Sequence, residues 1–317
     1  MRLLFFDIEC ACVYKNVAKI CSFGYVLCDE KFNIIEKRDI LVNPRGKFHL
    51  TDGRGEKGIV LPYSYEDFRK FPAFPGVYDE IKALLEDKNN MVYGHAVEND
   101  IKYLNLETRR YNLPPFHFSF SDTQLIYRTL TGDFTQCPGL ETMAAQLGID
   151  FKPHRSEDDA YVTMCILQKI CENMECSVYE LKKKLQLHRG STHNRTVTPP
   201  TSSAYKAFQE KRKKEKELKE QAMNAITEHI LMMHEKPAGV LKGSTFNFNP
   251  ELEADTEKCL PYIDRIYELG GAYSHHMTHC NVYVEGDNDD SIRTKMAHER
   301  DDVKIMPLSE LEDMLNG

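Results

Sequence analysis

The 317-residue sequence predicts an α/β protein. It should hold a mixed five-stranded sheet flanked by helices, then a long linker helix and a second, smaller α/β domain. Three observations predict it. Three apolar runs open the chain with only polar turns between them. Further apolar runs then alternate with segments of helical periodicity. A Thr/Ser/Pro-rich stretch and an almost wholly charged segment then separate residues 1–185 from residues 237–317. Strands first, then strands alternating with helices, give a mixed sheet with helices on its faces. Two domains are ordinary at this length.

Leu3–Glu9, Lys19–Cys28 and Ile34–Val42 read as three successive strands separated by polar turns such as Asp29-Glu30. The loop Asn43–Tyr63 carries four glycines and little periodicity. Val77–Glu86 is expected to be a helix, with Val77, Ile81, Leu84 and Leu85 on one face. Met91–His95 is the next strand, and Asp100–Tyr111 a helix that stops before Leu113-Pro114-Pro115. Phe116–Phe120 is the fifth strand. Asp122 is placed to cap a helix over Thr123–Leu130. Leu140–Leu147, closed by Gly148, and a long segment from about Glu157 to Met174 complete the helices. His188–Ser203 reads as a linker and Ala204–His234 as one long helix, charged in its first half. Ala222, Ile226, Ile230 and Met233 form a stripe in its second half. The organisation is therefore 1–185, a linker with its helix over 186–236, and a small α/β domain over 237–317.

Composition excludes several classes. Hydrophobic residues are 41% and charged residues 28%, which suits a globular chain rather than a disordered one. No apolar run approaches the roughly 20 residues a membrane helix needs, and MRLLFFDIEC turns acidic too soon for a signal peptide. Ten cysteines without a secretory signal point to structural thiols in a reducing, cytoplasmic setting. The net charge of −8 is uneven: −6 over residues 1–180, +8 over 181–220 and −9 over 237–317. Contact with phosphates should be local. The basic segment reads as a solvated spacer, with a nucleic-acid grip as its alternative.

Asp7-Ile8-Glu9 ends the first strand, and alternation puts both carboxylates on one side, where they can share a cation. Asp100 follows the strand MVYGH at the opening of a helix, and Asp159 lies in the run His154-Arg-Ser-Glu-Asp-Asp at the start of another. Each acid stands where an element begins or ends, so all can meet on one rim of the sheet. Four carboxylates crowded together need cations to offset their repulsion, and hard oxygen donors select Mg²⁺ or Mn²⁺.

FFDIECA resembles the first motif of the DnaQ-like 3′→5′ exonucleases that carry three Asp and one Glu, VYGHAVENDIKYL the second, and HRSEDDAYVTMCIL the third in its His form. SDTQLIYRTL and GLETMAAQLGI match intervening features in the right order, so the resemblance covers roughly residues 1–175. It implies a ribonuclease H-like fold, two divalent metal ions held by Asp7, Glu9, Asp100 and Asp159, and His154 as general base. Departures flank the ligands: Ala96 and Asn99 stand where the second motif carries Asn and Phe, and Cys10 where Thr is commoner. The implied chemistry is in-line hydrolysis of a phosphodiester, with two metals about 3.5–4 Å apart activating water and stabilising the departing oxygen. A His near pKa 6.5 is suited to take the water's proton. Glu157 and Asp158 read as surface acids favoured by the helix dipole.

LKGSTFNFNPELE, YIDRIYELGG, HCNVYVEGDN and KIMPLSELEDML together resemble a BRCT domain over residues 240–316, with Gly270-Gly271 at the turn after its first helix. The family's Trp is absent, and Leu311 and Leu315 are candidates to fill its space. Such a module implies a protein partner. His276, His279 and Cys280 are weighed as soft metal ligands and read as non-ligands, since at most two can face one way. The expected partners are single-stranded or frayed nucleic-acid 3′ ends, with DNA favoured and RNA as the rival, and no membrane. The rival of another class is a non-catalytic adaptor, which should have lost ligands that this chain keeps.

Overall fold

The computed structural model describes residues 1–46, 63–149, 155–234, 238–287 and 289–316. It divides into two compact units, Met1–Phe208 and Gln209–Gly317. In the first, β1 (Arg2–Tyr14), β2 (Val17–Asp29) and β3 (Ile34–Leu41) are followed by α1 (Tyr65–Phe68), α2 (Tyr78–Glu86), β4 (Asn90–Gly94) and α3 (Glu98–Arg110). Then come β5 (Phe118–Asp122), α4 (Thr123–Thr131), α5 (Leu140–Gln146), α6 (Ser156–Asn173) and α7 (Val178–Lys184). The short strands β6 (Leu187–His188), β7 (Gly190–His193), β8 (Thr196–Thr198) and β9 (Thr201–Ser202) lead into α8 (Ser203–Met232).

The main sheet runs β3-β2-β1-β4-β5-β7-β8. β1 pairs antiparallel with β2 and parallel with β4, and β4 pairs parallel with β5. Both faces of β1 are covered, so its apolar run is continuous, as expected of a strand buried on both sides. Leu4, Phe6 and Ile8 pack with Ile81 and Leu85 of α2 and Ile101 and Leu104 of α3. Leu3 and Phe5 pack on the opposite face with Ala160, Met164 and Leu167 of α6.

The sheet has seven strands where five were expected, because residues 188–203 are not a linker. Gly190–His193 pairs with Phe118–Phe120 of β5, and Thr196–Thr198 closes a hairpin on it. The composition concealed this: a polar edge hairpin is held by backbone bonds to its neighbour and needs no apolar alternation of its own. Gly190 permits the contact, since a Cβ there would lie 2.7 Å from the Phe120 ring. The short helix α7 lies outside the expected elements, and Ser177 and Glu180 form a capping box at its start. Most of the expected loop Asn43–Tyr63 lies outside the described residues.

The second unit is built around β10 (Thr245–Phe248), β11 (Ala272–Tyr273), β12 (Val282–Glu285) and β13 (Lys304–Pro307). They form an all-parallel sheet in the order β11-β10-β12-β13. Its helices are α9 (Pro250–Ala254), α10 (Thr256–Glu268), α11 (Ile292–His298) and α12 (Leu308–Asn316), with the distal part of α8. Ile226, Phe246, Phe248, Ile263, Ile266 and Val284 share one core, and Leu311 and Leu315 are buried in it. Gly270 ends the α10 turn at φ +84°, a conformation open to glycine. His276 and His279 are exposed, while the Cys280 thiol is buried and donates to the Met277 carbonyl at 3.3 Å.

Candidate active site

The pairing of β1 with β4 ends at Phe5↔Tyr93, and β1 runs on past that point. Asp7 and Glu9 therefore stand beyond the carboxyl end of β4, where an α/β sheet opens a crevice. Both share the face of Leu3 and Phe5, which α6 covers. A register irregularity after Glu9 bends the strand there. Such bulges re-aim side chains next to sites.

Asp159 reaches them because β2 lets α6 come close. Gly24, paired with Asp7, meets the first turn of α6: a Cβ on it would lie 2.0 Å from the Ser156 carbonyl carbon and 2.1 Å from the Glu157 nitrogen. Carboxylate oxygens of Asp7, Glu9 and Asp159 consequently lie within 4.8 Å of one another. Lys37 of β3 pairs with Glu157 at 3.3 Å and Asp158 at 2.8 Å, so these two acids dock the helix instead of only facing solvent.

Asp100 comes from the other side of the sheet, in the first turn of α3. The turn that delivers it follows Gly94, and the Asp122 carboxylate holds it by accepting from Ala96 N at 3.1 Å, Val97 N at 3.2 Å and Gln124 N at 2.8 Å. Asp122 thus caps α4, as the sequence suggested, and also shapes the turn before Asp100. Ala96 in that turn has φ +50°. Asn tolerates this left-handed region better than Ala does, which gives the Asn-to-Ala departure a measurable cost.

The charges act on one another. Burial, then Asp100, Asp159, Glu9 and Asp39, hold the Asp7 carboxyl well above its usual range. Burial and then Asp159 and Asp39 push Glu9 up to about 7. Asp100 is raised by burial and by the charges of Glu9 and Asp122, partly offset by hydrogen bonds from the backbone of Asp100 and Ile8. His95, the first residue of this turn, is held neutral by burial at about 4.

The structure thus brings Asp7, Glu9 and Asp159 together and sets Asp100 against them. His154 lies outside the described residues, two positions before the first residue of α6. Sequence reasoning missed Asp39, Ser22 and Ser156, which pack behind the cluster; a single acid on an exposed-looking strand and two serines carry no spacing signal. No described helix is long and apolar enough to cross a membrane.

A family model described as Exonuclease matches residues 4–167. None of the curated proteins matches the sequence. Among solved structures, a 3′-exonuclease described in 3′-end specific recognition of histone mRNA stem-loop has TM-score 0.50 and 17% identity. The match covers 64% of this chain and 71% of that one. The nuclease domain of 3′hExo, a DEDDh family member bound to rAMP, matches at TM-score 0.43 and 20% identity, over 54% of this chain and 92% of that one. E. coli exonuclease I with a 5cy-dT13 oligonucleotide matches at TM-score 0.43 and 15% identity, over 58% of this chain and 42% of that one.

Proposed function

The chain belongs to the exonuclease family, and from that premise we propose that it removes nucleotides from the 3′ end of a single or frayed strand by metal-assisted hydrolysis. The observation that carries the reading is the meeting of Asp7, Glu9 and Asp159 within 4.8 Å, with Asp100 raising the Asp7 carboxyl. Carboxylates that repel one another inside a protein are stable as ionised groups only beside cations, so this donor set fits divalent metals. Asp7, Glu9, Asp100 and Asp159 would hold them. Two such ions when bound supply an activated water and charge neutralisation at the departing oxygen.

The protein's own residues do the rest. Asp122 fixes the turn that aims Asp100, and Gly24 admits the helix that aims Asp159. His154, two positions before that helix in the sequence, takes the proton of the attacking water in this reading. DNA is the favoured substrate, and the second unit is read as a BRCT-like module that recruits a protein partner. Its parallel four-stranded sheet, its glycine turn at Gly270 and its excess of acids support that reading.

The test uses 5′-labelled single-stranded DNA and RNA oligonucleotides of one sequence with Mg²⁺ or Mn²⁺. A ladder shortening from the 3′ end, lost in Asp7→Asn, is the expected result. Shortening from the 5′ end sinks the polarity, and a ladder on RNA alone sinks the DNA assignment.

A further inference from the structure

Two acids flank a glycine in one row across three neighbouring strands. Asp7 of β1 is paired with Gly24 of β2, and Gly24 with Asp39 of β3. In the neighbouring row, Glu9 is paired with Ser22. The missing side chain at Gly24 leaves a notch in which the start of α6 sits, and Asp39 and Ser22 form its walls. Ser156, the first residue of α6, is 1% exposed and Ser22 is 3% exposed. The Ser22 and Ser156 hydroxyls each donate to Asp39 Oδ1, Ser156 at 3.1 Å, and their two oxygens lie in contact with each other. Asp39 Oδ2 is buried with no hydrogen-bond partner among the described residues.

This arrangement is costly unless it does something. A carboxylate oxygen buried without a hydrogen-bond partner is destabilising, and burial holds the Asp39 carboxyl above its usual range, with Glu157 adding to the rise and the two serines and Arg155 opposing it. A neutral residue would fill the notch more cheaply. What Asp39 gains is a grip on the helix: Ser156 is three residues before Asp159, so both lie on one side of the first turn. Lys37, two residues before Asp39 on the same strand, holds Glu157 and Asp158. The first turn of α6 is therefore clamped to β3 through three consecutive residues immediately before Asp159.

We propose that Asp39 is a positioning residue for the carboxylate cluster: by accepting hydrogen bonds from Ser156 and Ser22 it fixes the first turn of α6 in the Gly24 notch and so sets Asp159 against Asp7 and Glu9. The proposal rests on the reading of that cluster as a metal-binding centre. The acceptor oxygen, not the charge, is what the clamp needs. Asp39→Asn keeps an oxygen able to accept from both hydroxyls, whereas Asp39→Ala removes it.

The experiment compares the full-length wild type, Asp39→Asn, Asp39→Ala and Ser156→Ala by Mn²⁺ titration calorimetry and by turnover of a single-stranded DNA oligonucleotide, with melting temperature measured alongside. Asp39→Ala should weaken Mn²⁺ binding and lower kcat by about 10–100-fold each, the usual cost of losing an orienting partner behind a ligand. KM for the strand should change by less than about threefold, since substrate contacts are untouched. Ser156→Ala should lose in the same two readouts, and Asp39→Asn should retain both within about threefold of wild type. Wild-type Mn²⁺ affinity in folded Asp39→Ala overturns the proposal. So does an Asp39→Asn as impaired as Asp39→Ala, because the charge would then be the essential part. The calorimetry needs no turnover: if wild type binds Mn²⁺ yet degrades no strand, the exonuclease reading fails while the clamp is still tested. If wild type binds no Mn²⁺, both fail.

Discussion

Beyond the carboxyl end of β4, Asp7 and Glu9 of β1 face Asp159, with Asp100 beside them, and burial and repulsion raise the carboxyls of Asp7, Glu9 and Asp100. In the second unit Glu253 is as deeply buried as Asp100 and Asp159, but its carboxylate is fully engaged. It accepts from the Tyr273 hydroxyl at 2.5 Å and from Arg293 at 2.5 Å. The Tyr273 hydroxyl is itself pushed up by burial and by that carboxylate. In one cluster neighbouring acids raise one another, and in the other an arginine and a hydroxyl engage the carboxylate. Uncompensated buried acids destabilise a fold and persist where a cation or a reaction uses them, whereas a compensated acid is ordinary structure. Glu253 is therefore ordinary structure, although its unit has the larger net charge.

The strongest test of that contrast is Asp7→Asn. Turnover should fall by on the order of 10³-fold or more, about 4 kcal/mol of barrier, while the metal-free melting temperature rises because one repelling charge is gone. Near wild-type turnover would remove Asp7 from the site. His154→Ala separates chemistry from charge-holding. The rate should drop by roughly 10²–10⁴ with little change in Mn²⁺ affinity, and the loss should shrink at high pH; weakened Mn²⁺ binding in calorimetry would contradict the base assignment.

The reverse signature is expected in the second unit. Glu253→Ala leaves Arg293 without its carboxylate and should destabilise that unit by about 3–5 kcal/mol, seen in denaturant unfolding, with unchanged turnover on short strands. If turnover collapses while the first unit stays folded, the two clusters are not independent.

The pH dependence sharpens the comparison further. Glu9 is raised from 4.5 to about 7 in the folded protein. Its contribution is present in full below about 4.5 and is lost as pH rises through about 7, because ionisation is the step the fold opposes. Metal-free protein should therefore melt progressively lower across that window relative to Glu9→Gln, and Mn²⁺ should abolish the difference. A flat difference between the two proteins would mean that Glu9 is solvated. The smallest effect concerns the turn before Asp100: Ala96→Asn should stabilise the protein by about 0.5–1 kcal/mol at unchanged turnover, by relieving positive φ. Differential unfolding with no gain would show that the turn holds Ala96 without strain.

Much of this is legible in the sequence. Alternation along FFDIE places Asp7 and Glu9 on one side of a strand, and that geometry is local. The positions of Asp100 and Asp159 at helix openings were also legible, since an apolar strand followed by a helical period marks the junction. Their convergence on one rim was expected, but not the route by which it is reached. Asp100 comes over one face of the sheet and Asp159 over the other, and only the packing of α3 and α6 against β1 and β2 closes the distance. Asp39, Ser22 and Ser156 gave no signal because their meaning lies in register: Gly24 opposite both Asp7 and Asp39 makes the notch, and register is a relation between strands. The β7–β8 hairpin was hidden for the same reason, its polar residues joining the sheet by backbone bonds that any side chain allows. Sequence alone determined which residues could carry the chemistry, through periodicity along single elements. The tertiary structure decided which of them meet, because contacts between elements depend on close approach, and here that approach depends on Gly24, whose missing side chain lets a helix touch the sheet.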